Sequence, residues 1–495
     1  MPTDAACEFF DAGPNLGIFG LRSVGDALKP VTMNDTSPQS SSKDRPDPRL
    51  FECPEPDEVR TDRRSAPAGG RPRAQVPERM QIAFQPYSLD ELVPPDHEVR
   101  AVWDYVERLN LVRLYSEIRA VEGVPGRSPI DPKILMALWL FATLRGVGSA
   151  RALDKLCQEH VAYRWICGGV SVNYHTLSDF RVAHPELLDD MLTESVATLV
   201  NEGLVSLERT SQDGMRVQAS AGSGSFRRKG TLEKHLAEAR DQVERLRREL
   251  EEDPGKMNAR QRAARERAAR EREERLQRAL EEREKLAKRR EARKKGDGDE
   301  ARASITDPQA CRMKMGHGGI CPAYNVQFST ANSGLVITGV AVTNVGSDAG
   351  EMAPMARQHV ERYGGSPKET LADGGFAVID DIEAMERDYG TVVYTPVKEE
   401  EKKRAKGLDP FAPCPGDSDI ISRWRMRMGT DAARAIYKER AATAELSNAH
   451  TRNRGLRQFL VRGLEKVRTV ILWHAVVQNF MRTRTLRATL AIGTQ

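Results

Sequence analysis

A run of 70 highly charged residues limits how this chain can fold. Residues 231–300 contain 22 Lys or Arg and 19 Asp or Glu, so 41 of the 70 side chains carry a charge. Such a segment is too polar to bury a core of its own, but opposite charges four residues apart support helices. A thin stripe of leucines, broken by DPGK at 253–256, predicts a charged helical hairpin or coiled coil. A solvated surface is its simplest role, and DNA contact or dimerisation is the alternative.

The sequence before this insertion divides into a tail and a helical region. Residues 1–79 hold 11 of the 27 prolines and few apolar residues, which predicts a disordered Pro/Ser-rich tail. Residues 80–200 have a helical pattern and include an apolar stretch that indicates a buried helix. Residues 149–182 predict two short helices around a glycine turn, a helix-turn-helix pattern in which Arg181 is a candidate for reading DNA bases. Plain packing of a helical core is the alternative.

Overall charge and hydropathy exclude some classes of protein. The 76 Lys and Arg nearly balance the 72 Asp and Glu, and this formal net charge of +4 excludes a bulk polycation. A nucleic-acid surface must therefore be local, as in the predicted amphipathic helix at 454–488. Residues 452–487 contain nine basic residues and one acid. The longest apolar stretch, 134–144, is shorter than the ~20 residues of a membrane span. We expect a soluble cytoplasmic protein.

Strands and helices alternate in residues 201–230 and 301–488. Alternating and β-branched residues predict a strand or hairpin over Val205 to Val217, a hairpin over 323–344 and a short strand that ends at Asp373. Helical segments lie between and after these strands. The pattern predicts one α/β domain that the charged insertion interrupts.

Three carboxylates in this domain stand out by position. Asp213 ends or follows a strand, Asp373 ends another strand beside two glycines, and Glu445 lies on a predicted alanine-rich helix. Such a set suits a pair of Mg²⁺ ions, because hard divalent cations prefer oxygen ligands. Two ions ~3.5–4 Å apart promote phosphodiester chemistry. Asp307 and Asp348 are rival carboxylates with expected cap or turn roles, and Asp307 is the stronger candidate for supporting the site.

Four separated segments, in the same order, resemble the bacterial insertion-sequence transposases of the Asp-Asp-Glu type. QDGMRVQASAG resembles the segment around the first catalytic aspartate, and LADGGF resembles the segment around the second. TDPQACRMKMGHGGICPAYNVQFST resembles the block that leads into the second and third strands. The fourth segment resembles the Tyr-Arg-Glu-Lys signature of one branch, through Tyr437, Arg440, Glu445 and Arg452. The intervals are two, four and six residues instead of the usual two, three and six, and arginine replaces the final lysine.

The resemblance covers about residues 80–484 and implies a fold, a reaction and partners. It implies a ribonuclease H-like catalytic domain and an all-α N-terminal domain that binds the element's terminal inverted repeats. Asp213, Asp373 and Glu445 would hold two Mg²⁺ ions, for which Mn²⁺ can substitute. The residues expected to contact DNA are Tyr437, Arg440, Arg452, Arg181 and Arg462. The expected partners are the inverted repeats, target DNA and a second copy of the chain in a homodimer.

Two other functions fit the same residues. A metal-dependent nuclease of the same fold would cut DNA without joining it. A non-catalytic DNA-binding regulator or domesticated remnant would not need its carboxylates to converge. Carboxylates more than ~10 Å apart could not share metal ions that lie ~4 Å from one another. Their separation in the folded chain therefore bears on the choice between an enzyme and a regulator.

Overall fold

The computed structural model describes residues 88–120, 128–252, 258–316 and 318–493. The predicted tail at 1–79 lies outside these ranges. Within the described ranges, none of the helices combines the length and the apolar character that a bilayer span requires. The described chain is a mixed α/β structure in which helices precede a six-stranded sheet.

The helical region before the sheet confirms the predicted buried helix but shifts the first helix. Its helices are α1 (Glu98–Glu107), α2 (Val112–Ser116), α3 (Pro132–Leu144), α4 (Ala150–Glu159), α5 (Val161–Cys167), α6 (Tyr174–Ala183) and α7 (Pro185–Asn201). Helix α3 is the predicted apolar helix, and nearly all of it is buried. Ser88 and Glu91 exchange the two hydrogen bonds of a capping box, at 2.8 and 3.2 Å. Two prolines follow, so α1 begins only at Glu98, with His97 as its cap.

The predicted helix-turn-helix segment contains three helices instead of two. The expected first helix is divided into α4 and α5 at His160. The extended backbone of His160 ends α4, and its Nδ1 accepts a hydrogen bond from the backbone N–H of Ala162 at 3.2 Å. Gly168, in the left-handed region with φ of 55°, then ends α5, and α6 follows. The apolar pattern continues through His160, so it does not reveal that this histidine caps a new helix.

The sheet contains the predicted strands and hairpin. Its strands and those of a small second sheet are β1 (Arg209–Gln218), β2 (Phe226–Arg227), β3 (Ala303–Ser304), β4 (Cys311–Lys314), β5 (Ile320–Ala331), β6 (Ile337–Thr343), β7 (Glu369–Ala372) and β8 (Val392–Tyr394). The order in the main sheet is β4-β5-β1-β7-β8, and β6 also pairs with β5. Strand β1 is antiparallel to β5 and parallel to β7. The small sheet pairs β2 with β3.

The remaining helices form the insertion and cover the sheet. They are α8 (Lys229–Glu252), α9 (Ala259–Arg293), α10 (Met352–Tyr363), α11 (Ile379–Asp388), α12 (Glu400–Ala405), α13 (Asp419–Met428), α14 (Asp431–Arg440), α15 (Leu446–Asn453) and α16 (Leu464–Gly493). Helices α8 and α9 pack through Leu232, Leu236, Leu276 and Ala279, which confirms a helical hairpin. The coiled-coil character of the hairpin stays a prediction.

Helix α16 differs from the predicted amphipathic helix at 454–488. It begins at Leu464, and its central turns are buried on nearly all sides. It packs against α3, α6, α7 and β6, so the helical region and the sheet share one apolar core. The amide of Asn479 joins the helix to β6 by donating to the carbonyl of Ile337 and accepting from its N–H, both at 2.8 Å. Arg462 therefore lies in the loop before α16, not on it.

Candidate active site

The first predicted ligand, Asp213, lies within β1 and points into a polar cluster. In the antiparallel register it stands opposite Phe328 of β5. Its side chain is 14 % exposed. Its Oδ2 accepts a hydrogen bond from Asn448 Nδ2 at 2.8 Å. The carboxylate is therefore held in place from β1 and from α15 at once.

The second ligand, Asp373, follows β7 directly. Because Gln212 pairs with Ala372 in the parallel register, the next residues, Asp213 and Asp373, lie side by side. Asp373 leaves β7, but Asp213 lies in the middle of β1 and not at its end as predicted. Asp373 Oδ1 accepts a hydrogen bond from the N–H of Gly375 at 2.7 Å. A Cβ at Gly375 would lie 2.9 Å from that oxygen, so the turn leaves no room for a side chain there.

The third ligand, Glu445, lies on a π-helical turn and not on the straight α-helix predicted for 431–446. The turn spans Ala441–Glu445 and joins α14 to α15. Because π-helical hydrogen bonds reach one residue further than α-helical bonds, such a turn accommodates an additional residue without ending the helix. The interval of four residues between Arg440 and Glu445 was the sequence signal for this turn.

Arg440 brings the three carboxylates together. Its Nη2 lies 3.2 Å from Asp213 Oδ1 and 3.9 Å from Asp373 Oδ2, and its Nη1 lies 3.7 Å from Glu445 Oε1. The first two distances limit the separation of those aspartate oxygens to about 7 Å, within the range that shared metal ions allow. The side-chain exposure rises from 14 % at Asp213 to 40 % at Asp373 and 64 % at Glu445. The cluster therefore opens to solvent on the side of Glu445.

Burial and charge act against each other in this cluster. Burial raises the pKa of Asp213 above its ordinary value, the Arg440 guanidinium opposes that rise, and the Asp373 carboxylate adds to it. Tyr437 is partly buried nearby, and burial is the main cause of the raised pKa of its phenol. Arg440 is itself only 12 % exposed. It therefore stabilises a group of like charges that would otherwise repel each other.

Two polar residues of this cluster were missed as site residues in the sequence. Asn448 lies one helical turn after Glu445, and its Oδ1 is buried without a hydrogen-bond partner in the described chain. Asp348 accepts hydrogen bonds from Asn325 at 2.7 Å and Gln327 at 2.6 Å. A Cβ at Gly214 would overlap with Asp348, so this carboxylate lies directly against β1. Two amides at alternate positions of an apolar strand were the available signal.

The two rival aspartates have surroundings that differ from the roles predicted for them. Asp307, the favoured supporting residue, is buried away from the cluster and accepts hydrogen bonds from Tyr324 Oη at 2.7 Å and the N–H of Gly463 at 3.2 Å. Asp348, expected to be a cap or turn residue, lies beside Asp213. Glu351 lies three residues after Asp348. Burial raises the pKa of Glu351 to about 7, and the Asp348 and Asp381 carboxylates add to the rise.

The predicted DNA-contacting residues differ in their exposure to solvent. Arg452 is exposed on α15, and Arg462 is exposed with its Nε donating to the carbonyl of Ser220 at 3.2 Å. Arg181 is buried: its Nη1 donates to the carbonyl of Gly148, and its guanidinium carbon lies 4.8 Å from the ring centroid of Trp139. Burial lowers the pKa of Arg181 to about 10. This geometry favours a packing role for Arg181.

The donor chemistry of the cluster suits Mg²⁺, although an arginine stands between the donors. Within the described residues, no group of three or more His, Cys, Asp or Glu side chains is arranged to hold a metal ion as it stands. Three carboxylates nevertheless surround one cation, the Arg440 guanidinium. Carboxylate oxygens are the ligands that Mg²⁺ prefers. Asp213, Asp373 and Glu445 could hold such an ion once the Arg440 side chain moves aside.

Comparison with known protein families gives a match over the helical region. Residues 87–183 match the family model described as "Transposase domain (DUF772)", a segment that contains α1 to α6. No curated protein and no solved structure matches the chain. The chain thus joins a segment similar to a transposase domain to an α/β region that carries a carboxylate cluster. The match supports a transposase, a class of enzymes that bind and cleave DNA.

Proposed function

We propose that this protein is a DNA transposase of the Asp-Asp-Glu type. In this proposal, Asp213, Asp373 and Glu445 are the ligands of two Mg²⁺ ions, and the enzyme cuts the ends of an insertion sequence and joins them to target DNA. One observation carries the proposal. Three carboxylates from distant segments of the chain converge on the single guanidinium of Arg440.

The arrangement of the strands supports a ribonuclease H-like catalytic domain. Asp213 lies on β1, the short strand β4 and the hairpin β5–β6 follow it in the main sheet, and Asp373 follows β7. This is the order in which the resembling segments occur in the sequence. The hairpin of α8 and α9 enters between β2 and β3, so it interrupts the chain between β1 and β4 of the main sheet.

The proposed chemistry consists of two phosphoryl transfers. In the first, a water oxygen attacks the phosphorus at the element's end, the bond to the 3′ oxygen breaks, and that oxygen leaves as a 3′-hydroxyl. In the second, the 3′-hydroxyl attacks a target phosphorus and displaces another 3′ oxygen. Bound Mg²⁺ would activate the attacking oxygen and stabilise the leaving oxygen.

The residues of the chain hold and orient the reacting groups. Asn448 keeps Asp213 in one orientation, which fixes the deepest ligand. Arg440, once displaced from the carboxylates, has a planar guanidinium that can donate two hydrogen bonds to a phosphate. Tyr437 lies one turn before Arg440, and Arg452 is exposed further along, where both can contact DNA phosphates. Arg440 thus stabilises the carboxylates before DNA binds and the DNA afterwards.

A strand-transfer assay tests the proposal. The substrate is DNA that carries the sequences flanking this coding region, mixed with a target plasmid and Mg²⁺. Asp213→Asn, Asp373→Asn and Glu445→Gln each remove one charge at nearly constant shape, and we expect each to reduce cutting and joining by about 10³-fold or more. Glu439→Gln is the matched control, because Glu439 precedes Arg440 but contacts Arg209 and Asn332 instead of the cluster.

The other outcomes of this assay point to other functions. Cutting without joining would identify a nuclease. DNA binding without cutting, in Mg²⁺ or Mn²⁺, would identify a regulator or an inactive copy. Full activity in all three carboxylate variants would disprove the proposed ligands.

A further inference from the structure

A basic groove lies at the root of the charged hairpin. It is a cavity of about 870 Å³ between the end of α9, the segment that leads into β3, and the hairpin β4–β5. The charged side chains that line it are Arg290, Arg293, Lys294, Arg302, Arg312, Asp297 and Glu300. Five basic residues thus face two acidic ones. The groove lies outside the carboxylate cluster.

Both acids of the groove already have arginine partners. Asp297 forms an ion pair with Arg290 at 2.6 Å, and Glu300 forms one with Arg228 at 2.7 Å. Four exposed cations of the groove have no carboxylate within ion-pair distance in the described part of the chain. They are Arg293, Lys294, Arg302 and Arg312. The groove therefore carries a positive charge that the chain itself does not neutralise.

The far part of the same hairpin contains arginines that are paired along the helix. There, Arg247 pairs with Glu251 and Arg248 pairs with Glu244, each one helical turn apart. Such pairs are the ordinary state of a solvated helix surface. Among the described residues, unpaired arginines also occur on the helix surfaces, for example Arg245 and Arg267, but at the root several unpaired cations line one groove.

The groove lies within reach of DNA bound at the carboxylates. Arg312 pairs with Pro322 of β5, and Asp213 pairs with Phe328 of the same strand. Six residues of a strand span roughly 20 Å, less than the ~34 Å of one turn of B-DNA. Arg462 lies at the same end of the sheet as the groove, because its Nε contacts the carbonyl of Ser220, and the neighbouring Ala219 donates to the carbonyl of Pro322.

We propose that this groove binds the phosphate backbone of duplex DNA, within about one helical turn of the cut site. The inference rests on the proposed transposase function and adds a second DNA-binding surface to it. Guanidinium groups suit phosphate oxygens, because their paired N–H groups can donate to two oxygens at once. Contacts of this kind position DNA but do not distinguish sequences.

Binding measurements over a range of salt concentrations test the groove. The full chain is titrated with two labelled duplexes of unrelated sequence, and the double variant Arg302→Ala, Arg312→Ala is compared with the control Arg247→Ala, Arg248→Ala. We expect the groove variant to bind both duplexes about tenfold more weakly near physiological salt, and its salt slope to fall by up to about 2. The control should bind like the intact protein. Melting temperatures verify that both variants are folded.

Each alternative result has a separate meaning. If the intact protein binds DNA and the groove variant matches it in affinity and slope, the groove proposal fails and the transposase proposal stands. If the intact protein binds no duplex, the proposed function itself fails. Equal losses in the control would show a general charge effect, and a loss on one duplex only would show base reading. Either result would overturn the groove as a phosphate site.

Discussion

The helical region before the sheet and the sheet itself place their polar residues differently. In the helical region, the arginine predicted to reach DNA, Arg181, is buried against Trp139. In the sheet, Asp213 within β1 and Asp373 directly after β7 lie side by side and both approach Arg440. A helical pattern does not fix whether a polar side chain faces solvent or a neighbouring loop. The pairing of neighbouring strands, in contrast, fixes which residues lie side by side.

The largest effect on DNA cleavage is expected from deleting one residue of the π-helical turn that carries Glu445. Deletion of Ala442 should turn Glu445 and the residues after it by about 100° relative to Arg440. We expect strand cleavage to fall by about 10³-fold or more, as for loss of the glutamate itself. Ala442→Ser keeps the length of the turn and should remain active, because Ala442 is exposed. A deletion variant with normal cleavage would show that the turn does not position Glu445.

A smaller effect, on stability, is expected from Arg181→Met. The substitution leaves the carbonyl of Gly148 without its partner and removes the cation over Trp139. We expect the free energy of unfolding to fall by about 2–4 kcal/mol in urea titrations. Arg452→Met, at an exposed position, should change it by less than about 0.5 kcal/mol.

DNA binding by the same pair of variants tests whether Arg181 packs in the helical core or reads DNA bases. If Arg181→Met retains its stability but binds different DNA sequences equally, Arg181 reads bases and the helical region presents it to DNA. Arg452→Met should instead weaken binding to all sequences alike, as loss of a phosphate contact does.

The smallest effect is a pH dependence caused by Glu351. Its pKa is raised to about 7 in the folded chain, so the folded state holds this proton more tightly than the unfolded state. The resulting stability is complete below the ordinary pKa of glutamate and is lost as the pH rises towards 7. Glu351→Gln, which stays neutral, should therefore gain about 1–2 kcal/mol relative to the intact protein between pH 5 and pH 8.

Unfolding curves across that pH range provide the measurement. Glu361→Gln, on the exposed surface of α10, is the control and should run parallel to the intact protein. A constant difference between Glu351→Gln and the intact protein would contradict the raised pKa. It would also contradict the inference that the burial of Glu351 beside other carboxylates reduces stability at neutral pH.

Much of the α/β region could be predicted because its local patterns are strong. The strand at β1, the hairpin β5–β6 and the short strand before Asp373 follow from alternating and β-branched residues. The segments that carry Asp213, Asp373 and Glu445 could be named because they resemble a known family. Their convergence on Arg440 agrees with the expectation for an enzyme more than with that for a regulator.

Other features depend on tertiary contacts that no local pattern contains. The partner of Arg181 is a loop carbonyl 33 residues away. The burial of α16 depends on four surrounding elements, although the basic residues at its ends indicated an exposed face. Asp348 joins the cluster from a loop, through amides on β5. A turn pattern predicts the loop but not the side chains that it meets.

The most direct test of the central claim is the binding of Mn²⁺, followed by electron paramagnetic resonance. The account predicts that the intact protein binds two ions per chain in the presence of DNA, and that Asp213→Asn loses this binding while Glu439→Gln keeps it. Arg440→Met should bind Mn²⁺ more tightly in the absence of DNA, because a competing cation is gone. Mn²⁺ binding that is absent from the intact protein, or unchanged in Asp213→Asn, would contradict the account.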